Sequence, residues 1–311
     1  MSWRPDSTFV RVDAVLLVLS LSGVSSTVCA QDLEPRIYSN TPVGMNFLIA
    51  GYVYGTGSVA TDLSLPVENA DVQTHTGILA YARALDLWGT SGKIDVVLPY
   101  SSLSGTAELA GMPQQRDVSG LGDPKMRFSV NLYGAPALSL EEFANYQQDV
   151  IVGASLQVMA PLGQYDSDKL VNLGTNRWTI KPEVGISKAL GPLILELAAA
   201  AAFYTDNDDF LGGRTRSQEP LYSVQGHVIY SFQSGIWVAL DGTYFTGGRS
   251  SIDGVENDDE LGNTRVGLTV TLPVNRHNSV KVYASSGVTA RAGGDYDAVG
   301  LAWQYRWGGG L

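Results

Sequence analysis

The chain has 311 residues and a formal net charge of −11, with 16% charged and 9% aromatic residues and a mean hydropathy near zero. So acidic a chain is a poor partner for nucleic acid. Few charges at this hydropathy exclude a bundle of transmembrane helices, each of which needs about 20 consecutive apolar residues. They suit strands that set one face against apolar material and the other against water.

The first element is a leader. Arg4 and Arg11 precede the apolar run Ala14–Leu21, and small residues follow as far as Val28-Cys29-Ala30. That is the order of charged, apolar and cleavage regions in a secretory signal. Cleavage after Ala30 divides the chain into a signal peptide over 1–30 and a single β domain over 31–311. It removes Cys29, the only cysteine, so the mature chain forms no disulfide. Arg4 and Arg11 balance Asp6 and Asp13, so the mature chain keeps the charge of −11.

Beyond the leader the recurring signal is period-two alternation. In Thr264–Leu272, Val266, Leu268, Val270 and Leu272 alternate with Arg265, Gly267, Thr269 and Thr271. In Ile236–Phe245, Val238, Leu240 and Tyr244 alternate with Trp237, Asp241 and Thr243. The same pattern places strands near 46–57, 71–84, 93–104, 123–133, 149–161, 177–188, 193–205, 219–231, 236–247, 263–273, 278–288 and 295–307. Most are long enough for a tilted membrane crossing of about 9–11 residues.

The connections alternate too. Short links fall near 86–92, 189–192, 233–235 and 273–278, and long polar links near 58–70, 105–122, 163–176, 206–218 and 248–262. Short periplasmic turns and long external loops are the rule for outer-membrane barrels. The expected fold is therefore all-β: a transmembrane up-and-down antiparallel barrel of about twelve strands with both termini in the periplasm. The link 134–148 is long for its side, and Ser139-Leu140-Glu141-Glu142 reads as a capping box opening a short periplasmic helix. The last strand carries Val299, Leu301, Trp303, Tyr305 and Trp307 on one face, an interfacial aromatic girdle and a segment of the kind that the outer-membrane assembly machinery recognises.

Four stretches carry a resemblance: GLGDP (Gly120–Pro124), PLGQYD (Pro161–Asp166), NLGTNRW (Asn172–Trp178) and DNDDF (Asp206–Phe210). In this order they resemble the "putative MetA-pathway of phenol degradation" family of bacterial outer-membrane proteins, over roughly Pro42 to Trp307. The resemblance implies a transporter-like barrel that passes small hydrophobic or aromatic compounds.

If apolar faces meet lipid, the opposite faces line the lumen. That assignment places His75, Arg83, Asp95, Lys125, Arg127, Lys181, Glu183, Glu196, His227, Asp241, Arg265, Lys281 and Arg306 inside. Two readings follow: a lattice of mutually paired charges that fills the barrel, or a constriction where Arg83, Arg127, Lys181 or Arg265 draws anions. The acidic links around Asp206–Asp209 and Asp253–Glu260 lack the spacing of a calcium loop and read as solvated exterior, so no metal or other cofactor is expected.

The sequence therefore points to an outer-membrane channel for passive uptake of small solutes. Its partners would be outer-membrane lipid and lipopolysaccharide, the solute and the assembly machinery. The competing readings are a non-conducting structural or adhesive barrel and, behind it, a lipid hydrolase using His227. Neither a nucleophile elbow nor a zinc-protease motif accompanies that histidine, and an enzyme is not expected.

Overall fold

The computed structural model describes residues 34–60, 67–109, 112–291 and 293–311. The leader expected over 1–30 lies outside these residues. Each alternating segment forms a strand: β1 Met45–Ala60, β2 Val67–Leu87, β3 Thr90–Leu109, β4 Lys125–Tyr133, β5 Val150–Met159 and β6 Thr179–Leu190. There follow β7 Leu193–Tyr204, β8 Leu221–Ser231, β9 Trp237–Gly247, β10 Leu261–Pro273, β11 Asn278–Thr289 and β12 Gly293–Gly308. Every strand pairs antiparallel with its neighbours in sequence, and β1 pairs with β12 from Met45 opposite Gly308 to Ala60 opposite Gly293. The result is a closed meander of twelve strands. Closure leaves no wall edge unpaired, which an apolar membrane requires.

Outward side chains form continuous apolar rows. Leu195, Val228, Leu240 and Leu268 lie directly opposite one another across β7 to β10, and all four are exposed. So wide an apolar surface is foreign to a soluble monomer and suited to lipid. At the end carrying the short turns, Trp303, Tyr305 and Trp307 stack with ring centroids 6.2 and 5.6 Å apart, and Tyr81 lies 6.2 Å from Trp307. These rings form the expected girdle, with apolar bodies in the hydrocarbon and polar edges at the headgroups.

The short turns are chemically specified. Trp88 and Gly89 both have positive φ (56° and 87°), as a two-residue type I′ hairpin between β2 and β3 demands. In the long link between β4 and β5, α1 Leu140–Phe143 opens on the expected capping box. The Ser139 hydroxyl accepts from the Glu142 N–H, while the Glu142 carboxylate accepts from the Ser139 N–H at 2.8 Å.

The external links hold more structure than polar loops would. Residues 112–121 pair with the upper half of β3, from Tyr100 opposite Leu121 to Leu109 opposite Met112, and carry that hairpin beyond the wall. Asn207–Phe210, Arg214–Gln218, Ser250–Ile252 and Val255–Glu256 form a separate four-stranded sheet. The acidic residues of that region are tied to cations and hydroxyls. Arg249 bonds Glu256 and Glu260, Arg291 bonds Glu260 and Asp258, and Asp259 accepts from both the N–H and hydroxyl of Ser250. These bonds raise the affinity of Arg249 for its proton and hold the Glu260 carboxyl below its usual range. Among the described residues no group of acidic or histidine side chains has the arrangement of a metal site.

Candidate functional site

The barrel interior has two unlike walls. On β12, β1, β2 and the adjoining part of β3, the inward residues include Ala298, Ala302, Ile49, Val53, Ile78, Ala80 and Val97, one buried apolar cluster flanked by Tyr283 and Tyr296. From β3 round to β11 the inward residues at mid-height are mostly charged or polar, with small apolar clusters toward the two ends, Ile194, Ile229, Trp237 and Ala239 at one and Ala202, Leu221, Phe245 and Leu261 at the other.

All but two of the residues read as luminal from the sequence lie on this inner face. Asp95 and Arg127 are directly opposed across β3 and β4. Lys125 is buried at the outer end of β4. Lys181 and Glu183 form an ion pair at 3.7 Å. Glu196 accepts from the Ser187 hydroxyl at 3.1 Å. His227 Nδ1 is 2.7 Å from Asp241, whose other oxygen accepts from the Thr269 hydroxyl. Arg265 stacks 3.8 Å from the ring centre of Tyr296 and donates to Ser285. Lys281 is buried with its Nζ 5.5 Å from the ring centre of Tyr283. Arg306 sits at the periplasmic rim, donating to the carbonyl of Arg276.

His75 and Arg83 are the corrections. Both point outward, because β2 inverts the usual contrast: its inner face is Thr74, Thr76, Ile78, Ala80, Ala82 and Ala84. Polar-inward logic therefore selects the wrong parity there. His75 meets Tyr52 (Nδ1 to hydroxyl, 2.6 Å) and lies 5.2 Å from the ring of Tyr54. Arg83 lies opposite Asn46 near the girdle of Tyr81 and Trp307. At interfacial depth a long or aromatic polar side chain keeps its head in water.

The main element missed by the sequence reading is the segment preceding β1. Residues 34–42 are buried throughout and lie inside the barrel as a plug. Arg127 holds Glu34 through both guanidinium nitrogens, Nη2 to Oε1 at 2.7 Å, and also donates to Gln157 at 3.1 Å. The Glu34 N–H donates to Gln225. Arg36 donates from its backbone to Glu196 at 2.7 Å and from its guanidinium to Ser231, and stacks 5.1 Å from the ring centre of Trp237. Lys93 donates to the carbonyl of Ile37. Tyr38 donates to Glu183 at 3.0 Å. These wall contacts fall on β3 to β9, the charged side. A stretch with no alternation, carrying Glu34, Arg36 and Tyr38 between the leader and the first strand, is the only trace the plug leaves in the sequence.

Outside the membrane, the four motif stretches form one hydrogen-bonded assembly. Asp123 of GLGDP accepts from the Gly163 N–H (2.8 Å), the Thr175 N–H (2.7 Å) and the Thr175 hydroxyl (2.7 Å). Gly174 donates to the Gln164 carbonyl. Asn207 donates to the Tyr165 hydroxyl, which donates to the Asp209 carbonyl, while Asn176 donates to the Asn207 side chain. The motifs thus specify a bonded crown above the lumen.

A family model described as "Putative MetA-pathway of phenol degradation" matches residues 52–302. The chain belongs to this family. No curated protein matches its sequence. Among solved structures, the fold is similar to the COG4313 outer membrane channel from Pseudomonas putida F1, with a TM-score of 0.75 and 23% identity over 88% of this chain and 99% of that one. It is also similar to the transport unit of the autotransporter AIDA-I from Escherichia coli (TM-score 0.54, 8% identity, 90% and 94% coverage). The translocator domain of NalP from Neisseria meningitidis matches with a TM-score of 0.50 at 8% identity, over 87% of this chain and 91% of that one. These likenesses show the fold, a closed β-barrel of the kind found in outer-membrane proteins.

Proposed function

We propose that the barrel is a channel through which small hydrophobic or aromatic solutes cross the outer membrane. One observation carries the reading: the apolar inner strip of Ile49, Val53, Ile78, Ala80, Val97, Ala298 and Ala302. Barrel interiors are ordinarily polar, so an apolar wall facing inward needs a use. The plug's hydrogen bonds and ion pairs go to the opposite, charged side, so a solute would meet the strip, itself buried while the plug is seated, once the plug withdraws. The name of the matched family and the channel among its structural likenesses support the same direction. Cleavage of residues 1–30 at export would start the mature chain just before Glu34, free to enter the lumen. The barrel would sit among lipid and lipopolysaccharide, delivered there by the assembly machinery through its aromatic last strand.

Apolar compounds cross phospholipid unaided but are slowed by lipopolysaccharide, so the test belongs in cells with an intact outer leaflet. Deleting the gene is expected to slow accumulation of labelled phenol or toluene, and the native chain is expected to restore it. An Ile78→Arg chain, which charges the strip, is expected to insert but not restore it. Uptake unaffected by deletion would overturn the proposal.

A sealed, non-conducting barrel is the second reading, favoured by the plug and by the pairing of Lys181 with Glu183 and of His227 with Asp241. It predicts native uptake in the deletion strain. His227 lies on the inner wall away from lipid, which removes the placement that a hydrolase of membrane lipids would need.

A further inference from the structure

One buried cation of the inner wall has no carboxylate. The plug's wall contacts reach Trp237 on β9, and Arg265 stands beyond them on β10, toward the external end. It is 3% exposed. Its Nη2 donates to the Ser285 hydroxyl at 2.9 Å, and its guanidinium lies 3.8 Å from the ring centre of Tyr296. Its Nη1 is buried and meets no acceptor. Among the described residues Arg265 takes part in no ion pair, unlike Arg127, which holds Glu34. An enclosed charge without a counter-charge is costly. Ser285, having accepted from Arg265, keeps its own hydroxyl hydrogen to give. A guanidinium N–H and a neighbouring hydroxyl, both donors, suit an anion with two acceptor oxygens.

This pair stands at the external end of the apolar strip. Ser285 lies directly opposite Ala298, a strip residue, and Tyr296 packs against the same cluster. From Ala298, opposite Gly55, the strip runs along β1 past Val53 to Ile49. Those six residues of β1 cover about 20 Å at the usual rise of a strand. The strip itself is built of isoleucine, valine and alanine. Its bordering rings already have partners. Arg265 covers Tyr296, while Tyr283 meets the Lys281 ammonium at 5.5 Å and the backbone of Gly300, where a Cβ would fall 2.2 Å from the ring. An aliphatic track with an anion site at one end has the outline of an alkyl chain ending in a carboxylate.

We propose that Arg265 and Ser285 make the strip selective for medium-chain aliphatic carboxylates. The head accepts from Arg265 Nη1 and the Ser285 hydroxyl, and the chain lies along Ala298, Val53 and Ile49. Resting on the channel reading above, the proposal names a solute class for the same strip, which opens as the plug withdraws. A carboxylate is ionised near pH 7 and accepts at both oxygens. An amine of the same chain length brings a like charge to Arg265 and has no acceptor to offer it.

The test is initial uptake in cells with an intact outer leaflet. Deletion is expected to slow accumulation of labelled octanoate, and the native chain to restore it. Unlabelled octanoate should compete, and octylamine should not. An Arg265→Met chain removes the charge and orphans no carboxylate, so it should fold, as checked by heat-modifiable gel mobility. It should carry toluene at the native rate and octanoate at least tenfold more slowly. Arg265→Lys, which keeps the charge and loses the planar fork, should recover part of the octanoate rate. Native octanoate uptake through Arg265→Met, equal loss of octanoate and toluene, or competition by octylamine would each overturn the site. If toluene uptake depends on the barrel and octanoate uptake does not, the channel stands and this site falls. If neither depends on it, the channel reading falls as well.

Discussion

The Glu34–Arg127 pair gives the sharpest handle on the plug, and Glu34→Ala is the perturbation of choice. Both side chains are almost wholly enclosed, with 1% and 8% of their surface exposed. Removing one partner of a buried pair typically costs about 3–5 kcal/mol, because the remaining charge is desolvated without compensation. Arg127 would keep Gln157 at 3.1 Å and would still face Asp95 across the sheet, which places the expectation at the low end, about 3 kcal/mol. That cost falls on the seated state alone, since withdrawal of the plug gives Arg127 back to water. At about 1.4 kcal/mol per decade, the seating equilibrium should move roughly 100-fold toward withdrawal.

Two measurements read this shift. In planar bilayers the Glu34→Ala barrel should spend far more time in a higher-conductance state. In lipid vesicles its N-terminus should be cut by an added protease many times faster than that of the native chain, with the barrel itself resistant. The double variant Glu34→Ala/Arg127→Ala should withdraw less readily than the single one, because it leaves no orphaned guanidinium. Native conductance and native cleavage rates in Glu34→Ala, or a double variant as open as the single, would refute the reasoning.

Three further outcomes test the frame around the plug. Leu240→Arg places a charge on the lipid face near mid-strand, where Leu240 is 61% exposed, and should destabilise the barrel by about 2–4 kcal/mol in urea titrations in bilayers; an unchanged midpoint would mean that this face does not meet lipid. Asp123→Ala strands the Gly163 and Thr175 N–H groups, at about 1–3 kcal/mol each, and should expose 161–176 to proteolysis without loosening the strands. Hydrogen bonds from the Ser139 N–H and hydroxyl hold the Glu142 carboxyl below its usual range. Its contribution to α1 should therefore be complete above the unfolded value of about 4.3 and be lost as pH falls through the lower folded value, seen as faster amide exchange over 139–144, and Glu142→Gln should remove that pH dependence.

How much of this was legible in the sequence follows from where each constraint acts. Lipid imposes the same rule on every strand, so alternation located all twelve barrel strands to within a few residues, and the capping box located α1. The sidedness of His75 and Arg83 was misread because β2 keeps its small and apolar residues inward, which makes both of its faces unlike water. The strand pairing over 112–121 was missed because it lies beyond the membrane, where no apolar face is required and none appears. Nothing in the sequence singles out Gly153 and Gly185, since what gives them meaning is the Tyr38 ring packed against them, contributed from more than a hundred residues away.

The plug was illegible for a deeper reason. Its bonds reach across the lumen, from Arg36 to Ser231 and from Glu34 to Gln225, and no local periodicity can encode partners so far apart. Yet the same polar belt that made the lumen look like either a lattice of paired charges or an anion constriction is what the plug requires. Arg127, Glu183 and Glu196 each satisfy a plug residue, so the charges complement a segment of the chain rather than a passing anion. On the proposed reading, an inner wall with one charged side claimed by the plug and one apolar strip would let the barrel discriminate by polarity. On the same reading, a polar solute would have to compete with bidentate and buried partners already in place, whereas an apolar one would meet Ile49, Val53 and Ile78 once the plug withdraws.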